Sequence, residues 1–208
     1  LIKPLAGPLH YKTLSSSSSG QIKEKGSKFI GYAFPCISED EARELLESLR
    51  KQHSQATHVC YAYRLGWNKD RFRTNDDGEP ANSAGMPILG QIQSFDLTNV
   101  LVAVVRYYGG TKLGVGGLMS AYRIAAQFAL RESSIEEREL KKQVYIELNH
   151  SNYSVFMQQL KRFRLAILEQ DALTGYNLYV SVPLDLWDEF LKFATQHHVV
   201  KLEDKGFV

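Results

Sequence analysis

The sequence is short of cysteine: Cys36 and Cys60 are the two in 208 residues. That is too few, and too widely spaced, for a disulfide framework, and it suits a reducing cytosol. It is also short of net charge. Twenty-five lysines and arginines against 23 aspartates and glutamates leave +2. The chain as a whole lacks polybasic character, so any binding of nucleic acid must come from a local patch. No apolar run approaches the length needed to span a bilayer. The leading "LIKPLAGPLHYKTL" has neither a long apolar core nor a small-residue cleavage pattern, so we expect no signal peptide and a cytoplasmic protein. His53, His58 and Cys60 come without a Cys-x-x-Cys pair and make a poor zinc set. There is no nucleophile elbow and no local serine-histidine-aspartate signature. No metal and no cofactor are implied. What is present is ordinary for a globular chain: 44% hydrophobic and 23% charged residues, in a length that suits one large domain or two small ones.

The order of elements follows from periodicity. "SSSSSG", residues 15–20, reads as an exposed hairpin connection between Tyr11–Leu14 and the next strand. "QIKEKGSKFIGYAFPC" reads as strand, turn at Gly26-Ser27, strand. Ser38 caps a helix, with Glu41 as capping-box partner and Ala42, Leu45, Leu46 and Leu49 as the buried stripe. "THVCYAYRLG" is a strand with His58, Cys60 and Ala62 on one face and Val59, Tyr61 and Tyr63 on the other. A long polar loop, "WNKDRFRTNDDGEPANSAG", leads to a helix over "MPILGQIQSFDL", for which Ser83 is the candidate cap. "NVLVAVVRYYG" is the most apolar strand and is expected to be central. "LMSAYRIAAQFALRES" is a helix with a regular apolar stripe. After "EEREL" the pattern becomes strand-helix-strand-strand-helix-strand, with a turn at Thr174-Gly175 and His197-His198 at a helix end. This is the ferredoxin-like order. The chain therefore reads as α+β in two domains, divided near residues 136–142.

Three loops carry chemistry. Gly109, Gly110, Gly114, Gly116 and Gly117 sit between the central strand and a helix, with Lys112 among them. Glycines there permit positive φ and let backbone N–H groups point at an anion. The spacing matches neither the phosphate-binding loop nor the dinucleotide fingerprint. An anion cradle and a tight strand-to-helix corner both stand. In the second loop, Asp76, Asp77 and Glu79 lie around Gly78 and before Pro80. Such a cluster suits a divalent cation or acid–base work, but "DDG" is equally a turn sequence. In the third, Arg64, Lys69, Arg71 and Arg73 interleave with Trp67 and Phe72. Cations for phosphates beside rings for bases are the footprint of single-stranded nucleic-acid binding. A solvated rim with rings packed on basic stems is the other reading. Arg106, Tyr107 and Tyr108 would extend the patch if the two regions faced each other.

"DDGEPANSAGMPIL" followed by "VVRYYGGTKLGVGGLMSAY" closely resembles the bacterial, YigZ-like branch of the IMPACT family. "KEKGSKFIGYA" and "HVCYAYR" match it too, and the resemblance covers essentially the whole chain. It implies a ribosomal protein S-five domain-two-like fold for residues 1–137, a sheet backed by helices, and a ferredoxin-like domain for 138–208. That N-terminal fold is shared with a translocation domain of elongation factor G and with small-molecule kinases. Eukaryotic relatives act in translational control by competing for a protein activator. The family supplies no catalytic residue to carry over. Where its usual pattern reads Gly-Thr-Ala-Gly this chain has "NSAG", with Asn82 in place of glycine. On this basis the acidic and glycine loops are expected to face each other across a groove. The first expectation is a non-enzymatic protein that binds RNA or the ribosome and is linked to regulation of translation. The alternatives are an enzyme acting on a nucleotide or phosphorylated small molecule through the glycine loop, and a module that binds a partner protein.

Overall fold

The computed structural model describes residues 9–171, 176–196 and 201–207. In chain order the elements are β1 (His10–Leu14), β2 (Ser18–Glu24), β3 (Ser27–Pro35), α1 (Glu39–Gln52), β4 (His58–Leu65), β5 (Arg71–Asn75), α2 (Gly85–Ser94), β6 (Val100–Tyr107) and α3 (Gly114–Arg131). They continue as β7 (Ile135–Glu139), β8 (Lys141–Leu148), α4 (His150–Gln159), β9 (Ala166–Asp171), β10 (Tyr176–Pro183), α5 (Trp187–Gln196) and β11 (Lys201–Phe207). The chain is α+β. Two compact units emerge, one from Tyr11–Arg138 and one from Leu9, His10 and the described residues from Glu139 onward. Among the described residues, no helix is long and apolar enough to cross a membrane.

In the first unit five strands pair in the order β2-β3-β6-β4-β5, every neighbour antiparallel. β6 is central, as its composition predicts. Val100 to Val105 are fully buried because helices cover both sheet faces. Val102, Val104, Cys60 and Ala62 pack with α2 and α3. Leu101, Ala103, Val105, Val59, Tyr61 and Tyr63 pack with Ala42, Leu46 and Leu49 of α1. The alternation read from "HVCYAY" thus separates the two cores. α1 starts where expected: the Ser38 hydroxyl accepts the Glu41 N–H at 3.1 Å. The Glu41 carboxylate reaches back one residue further than a standard capping box, to the N–H of Ile37 at 2.8 Å.

Three local expectations are corrected. The β2–β3 turn is Lys25-Gly26, one residue before Gly26-Ser27. Both turn residues have positive φ, +46° and +80°, as a two-residue turn matched to strand twist requires. The serine run is not a hairpin connection. Ser18, Ser19 and Gly20 belong to β2, whereas β1 pairs with β7 in a separate two-stranded sheet. Small residues are needed in β2 because α3 lies directly on it. The Ser18 hydroxyl donates to the carbonyl of Ala129 at 2.7 Å, and a Cβ at Gly20 would stand 2.9 Å from that of Phe128. α3 also begins at Gly114, a turn earlier than Leu118. Leu113 and Leu118 are both buried in one core, and that packing outweighs the poor helix propensity of the glycines between them.

The second unit is ferredoxin-like. Its strands stand in the order β11-β8-β10-β9, all antiparallel, with α4 and α5 as the two crossover helices. Val144, Ile146, Leu178, Val180, Phe156, Phe163 and Phe190 are buried in it. The ammonium of buried Lys142 pairs with Asp204 and lies 4.6 Å from the Trp187 ring centre. The predicted turn at Thr174-Gly175, His197-His198 and the first eight residues lie outside the described residues.

Helix α3 rests on β3 at Gly31, where a Cβ would stand 2.3 Å from the carbonyl oxygen of Ala125. Gly31→Ala is therefore expected to destabilise the protein by ~2 kcal/mol or more. Gly90→Ala, in open space within α2, should stabilise it by up to ~1 kcal/mol through helix propensity. Urea unfolding midpoints measure both; a neutral Gly31→Ala would contradict the close packing.

Candidate functional site

The acidic loop follows β5, and each of its carboxylates has a defined partner. One Asp76 oxygen accepts the N–H groups of Ala84 at 2.9 Å and Gly85 at 2.8 Å. The other accepts the N–H of Asn82 at 2.8 Å. Asp76 thus caps α2 from outside the helix, where a negative charge also suits the dipole. Ser83, the expected cap, makes no such bond, and its buried hydroxyl has no partner among the described residues. Asn82 has φ +62°, a left-handed conformation that glycine takes freely and asparagine tolerates. The departure from the family pattern is thereby accommodated. Asp77 clips the loop to β4. Its carboxylate accepts from the N–H of Val59 at 2.7 Å and from Arg50 at 2.9 Å. Its carbonyl accepts from His58 Nδ1 at 2.7 Å.

Glu79 turns inward, its side chain 4% exposed. One carboxylate oxygen accepts from Arg106 Nη1 at 2.5 Å and from the Tyr122 hydroxyl at 2.7 Å, with His58 Nε2 at 3.8 Å. Arg106 stands near the end of β6, equally buried, and its Nη2 lies 3.5 Å from the Ser27 hydroxyl. The same hydroxyl accepts the N–H of Gly109 at 3.1 Å. The guanidinium lies 5.3 Å from the Phe29 ring centre and 5.4 Å from that of Tyr108. One buried ion pair therefore joins the acidic loop, the end of β6, the start of β3 and α3. Burial, then Cys60 and the Glu79 carboxylate, push the Tyr122 hydroxyl far above the ordinary phenol range. Burial pushes the Cys60 thiol up to about 12. Both stay protonated, which suits anchoring rather than nucleophilic attack.

The glycine loop now has a physical explanation. A Cβ at Gly109 would stand 1.9 Å from the carbonyl carbon of Gly26, so the loop lies directly on the β2–β3 turn. Gly110 and Gly114 have φ of +86° and +72°. Gly116 and Gly117 lie in the first turn of α3. Tyr107 is half-buried, its hydroxyl 2.8 Å from His53 Nδ1. Tyr108 is 48% exposed, and Gly109, Gly110 and Lys112 lie at the surface beside it. The register adds two cations of the β2–β3 hairpin. Lys28 stands opposite Tyr107, and Lys25 occupies the turn beside Gly26. Gly78 and Pro80 are exposed on the acidic loop.

The other predicted set does not form one surface. In β5, Arg71 stands opposite Leu65 and Arg73 opposite Tyr63, on the α1 face, whereas Phe72 stands opposite Arg64 on the other. Arg64 donates to the carbonyl oxygens of Lys69 and Leu97. Lys69 is paired with Asp96 at 2.5 Å, and Trp67 is half-buried. Nor does this region face Arg106. Along β4, His58 is the residue opposite Arg106 and Arg64 is opposite Val100, so the two regions lie at opposite ends of the sheet, about 20 Å apart.

Because Glu79 and Arg106 are both buried, removing one leaves the other unpaired. Glu79→Ala is expected to cost ~3–5 kcal/mol of stability, and a Glu79→Leu, Arg106→Leu double variant to recover much of it. Additive losses in urea unfolding would contradict the pairing.

Residues 25–130, which hold both loops and the ion pair, match the family described as the Impact N-terminal domain. The chain is 32% identical over 159 residues to IMPACT family member YvyE of Bacillus subtilis, covering 76% of this chain and 73% of that protein. It is 37% identical over 116 residues to IMPACT family member YigZ of Escherichia coli, covering 55% and 57%. A crystal structure described only as that of a hypothetical protein superposes over 95% of this chain and 97% of that one, with a TM-score of 0.72 and 27% identity. With the family's signature loops joined through Glu79 and Arg106, and the match spanning half the chain, this protein belongs to the IMPACT family.

Proposed function

We propose that this protein is a non-enzymatic RNA- or ribosome-binding protein linked to regulation of translation. The observation that carries the reading is the rim above the buried ion pair. Tyr108 is half exposed and backed by the Arg106 guanidinium. Lys25, Lys28 and Lys112 stand at the same end of the sheet and make no ion pair among the described residues. A ring for stacking, cations for phosphates and open glycine backbone suit single-stranded RNA. The translational role implied by the eukaryotic relatives supports the link to translation.

Catalysis is the weaker reading. Asp76 and Asp77 are engaged by backbone N–H groups, and Glu79 by Arg106 and Tyr122. These carboxylates hold loops in place. A proton carrier would need a freer one.

Fluorescence anisotropy with a labelled single-stranded RNA tests the proposal. Tyr108→Ala is expected to weaken binding about tenfold, the effect of one lost base stack. The Lys25/Lys28/Lys112→Ala variant should flatten the salt dependence by about 2 in log–log slope, for three lost phosphate contacts. Arg71/Arg73→Ala, on a separate edge strand, should change neither. Wild-type affinity in the first two variants would remove this rim from the binding surface.

A further inference from the structure

A second groove lies on the α1 face of the same unit, away from the buried ion pair. In the β2–β3 hairpin, Ser19 stands opposite Tyr32, Gln21 opposite Ile30, and Lys23 opposite Lys28. Alternation puts these six side chains on one face, whereas Phe29 and Ala33 point into the other core. α1 covers the middle of the sheet and leaves the hairpin side open. The result is a cleft of about 300 Å³ whose wall includes Ser17, Ser19, Tyr32, Phe34, Ser48 and Gln52. None of the described residues lining it is acidic.

Two features distinguish this cleft from incomplete packing. The Tyr32 and Phe34 rings are nearly parallel, 7° apart in plane, with centres 6.1 Å apart, and both are only partly buried. The Tyr32 ring is also held in place. Its hydroxyl lies 2.8 Å from His53 Nε2, and His53 Nδ1 lies 2.8 Å from the Tyr107 hydroxyl. A ring fixed in this way loses little freedom when a flat ligand stacks on it. Serine hydroxyls and the Gln52 amide then offer donors and acceptors at the edge of such a ligand. Four residues along β3, about 14 Å, separate Tyr32 from Lys28, which faces Lys23 across the hairpin. The arrangement runs from cations to stacked rings along one partly exposed face of the β2–β3 hairpin, as in grooves that take single strands.

We propose that this cleft is a base-binding subsite, in which a nucleobase of single-stranded RNA stacks on the Tyr32–Phe34 pair while Lys23 and Lys28 hold the phosphates leading into it. It rests on the RNA-binding reading above and extends it: Lys28, at the rim beside Tyr107, starts a path along β3 that ends at Phe34. The absence of acidic lining favours RNA over a basic peptide, and the neutral hydrogen-bonding wall favours a base over a bare phosphate.

The test is photo-crosslinking of the full chain to a single-stranded RNA carrying 4-thiouridine, with adducts located by mass spectrometry, alongside affinities of two variants. Adducts on Tyr32 or Phe34 are expected. Phe34→Ala should weaken binding about tenfold with the salt slope unchanged, because stacking releases no counterions. Ser19→Glu puts a negative charge at an exposed strand position in the cleft without touching the core. It should weaken binding to a similar degree with the unfolding midpoint unchanged. RNA binding with adducts confined to Tyr108 and its neighbours, and wild-type affinity in Ser19→Glu, would overturn the subsite and leave the proposed function standing. No RNA binding at low salt would overturn both. A dimer in sedimentation that shields the cleft from crosslinking would assign it to a second copy of the chain and overturn the subsite.

Discussion

The Glu79–Arg106 ion pair is the contact on which the candidate site depends. Two charges buried this deeply are costly to desolvate, and such a pair survives only with close geometry and additional hydrogen bonds. The protein supplies both: a 2.5 Å contact, the Tyr122 hydroxyl on the carboxylate, and the Phe29 and Tyr108 rings against the guanidinium. The groups it joins come from four separate parts of the chain, so the pair sets how the acidic loop, β6, the start of β3 and α3 meet. The acidic loop is further tied down by Asp76 on α2 and Asp77 on β4. The signature loops therefore build a support, and at this end of the sheet Tyr108, Lys112 and glycine backbone reach the surface beside Lys25 and Lys28 of the β2–β3 hairpin.

This division changes the meaning of the glycines. A glycine-rich stretch before a helix invites comparison with phosphate cradles. Here Gly109 is required by contact with Gly26, and Gly110 and Gly114 by backbone conformation. The loop is a close-packed corner first, and its exposed backbone contributes to the rim as a consequence. Similarly, the acidic cluster suggested metal or proton chemistry, yet its oxygens face backbone N–H groups, a guanidinium and a phenol. The proposed function follows from that geometry: the chemistry-bearing groups are turned inward, and the outward surface suits recognition.

Much of the fold was legible because it rests on local period. Strict alternation separated Cys60 and Ala62 from Val59, Tyr61 and Tyr63, Ser38 announced α1, and the changed rhythm after residue 140 announced the ferredoxin-like unit. What escaped depends on distance in sequence. Asp76 caps a helix eight and nine residues away, a span no capping pattern covers. The pairing of β1 with β7 joins segments more than a hundred residues apart. Lys25 and Lys28 join the site only through the β3–β6 register and the Gly26–Gly109 contact. The alternation in "RFRTN" already puts Arg71 and Arg73 on the face opposite Phe72, which divides the basic and aromatic residues once that segment is a strand.

On the proposed function, the signature loops of this chain support an RNA-binding surface. Its most direct test is titration of the purified wild-type chain with labelled single-stranded RNA, from low salt upward. Binding is expected, with a log affinity that falls linearly with log salt concentration, the mark of phosphate contacts on a locally basic rim. Absence of binding at the lowest salt would contradict it.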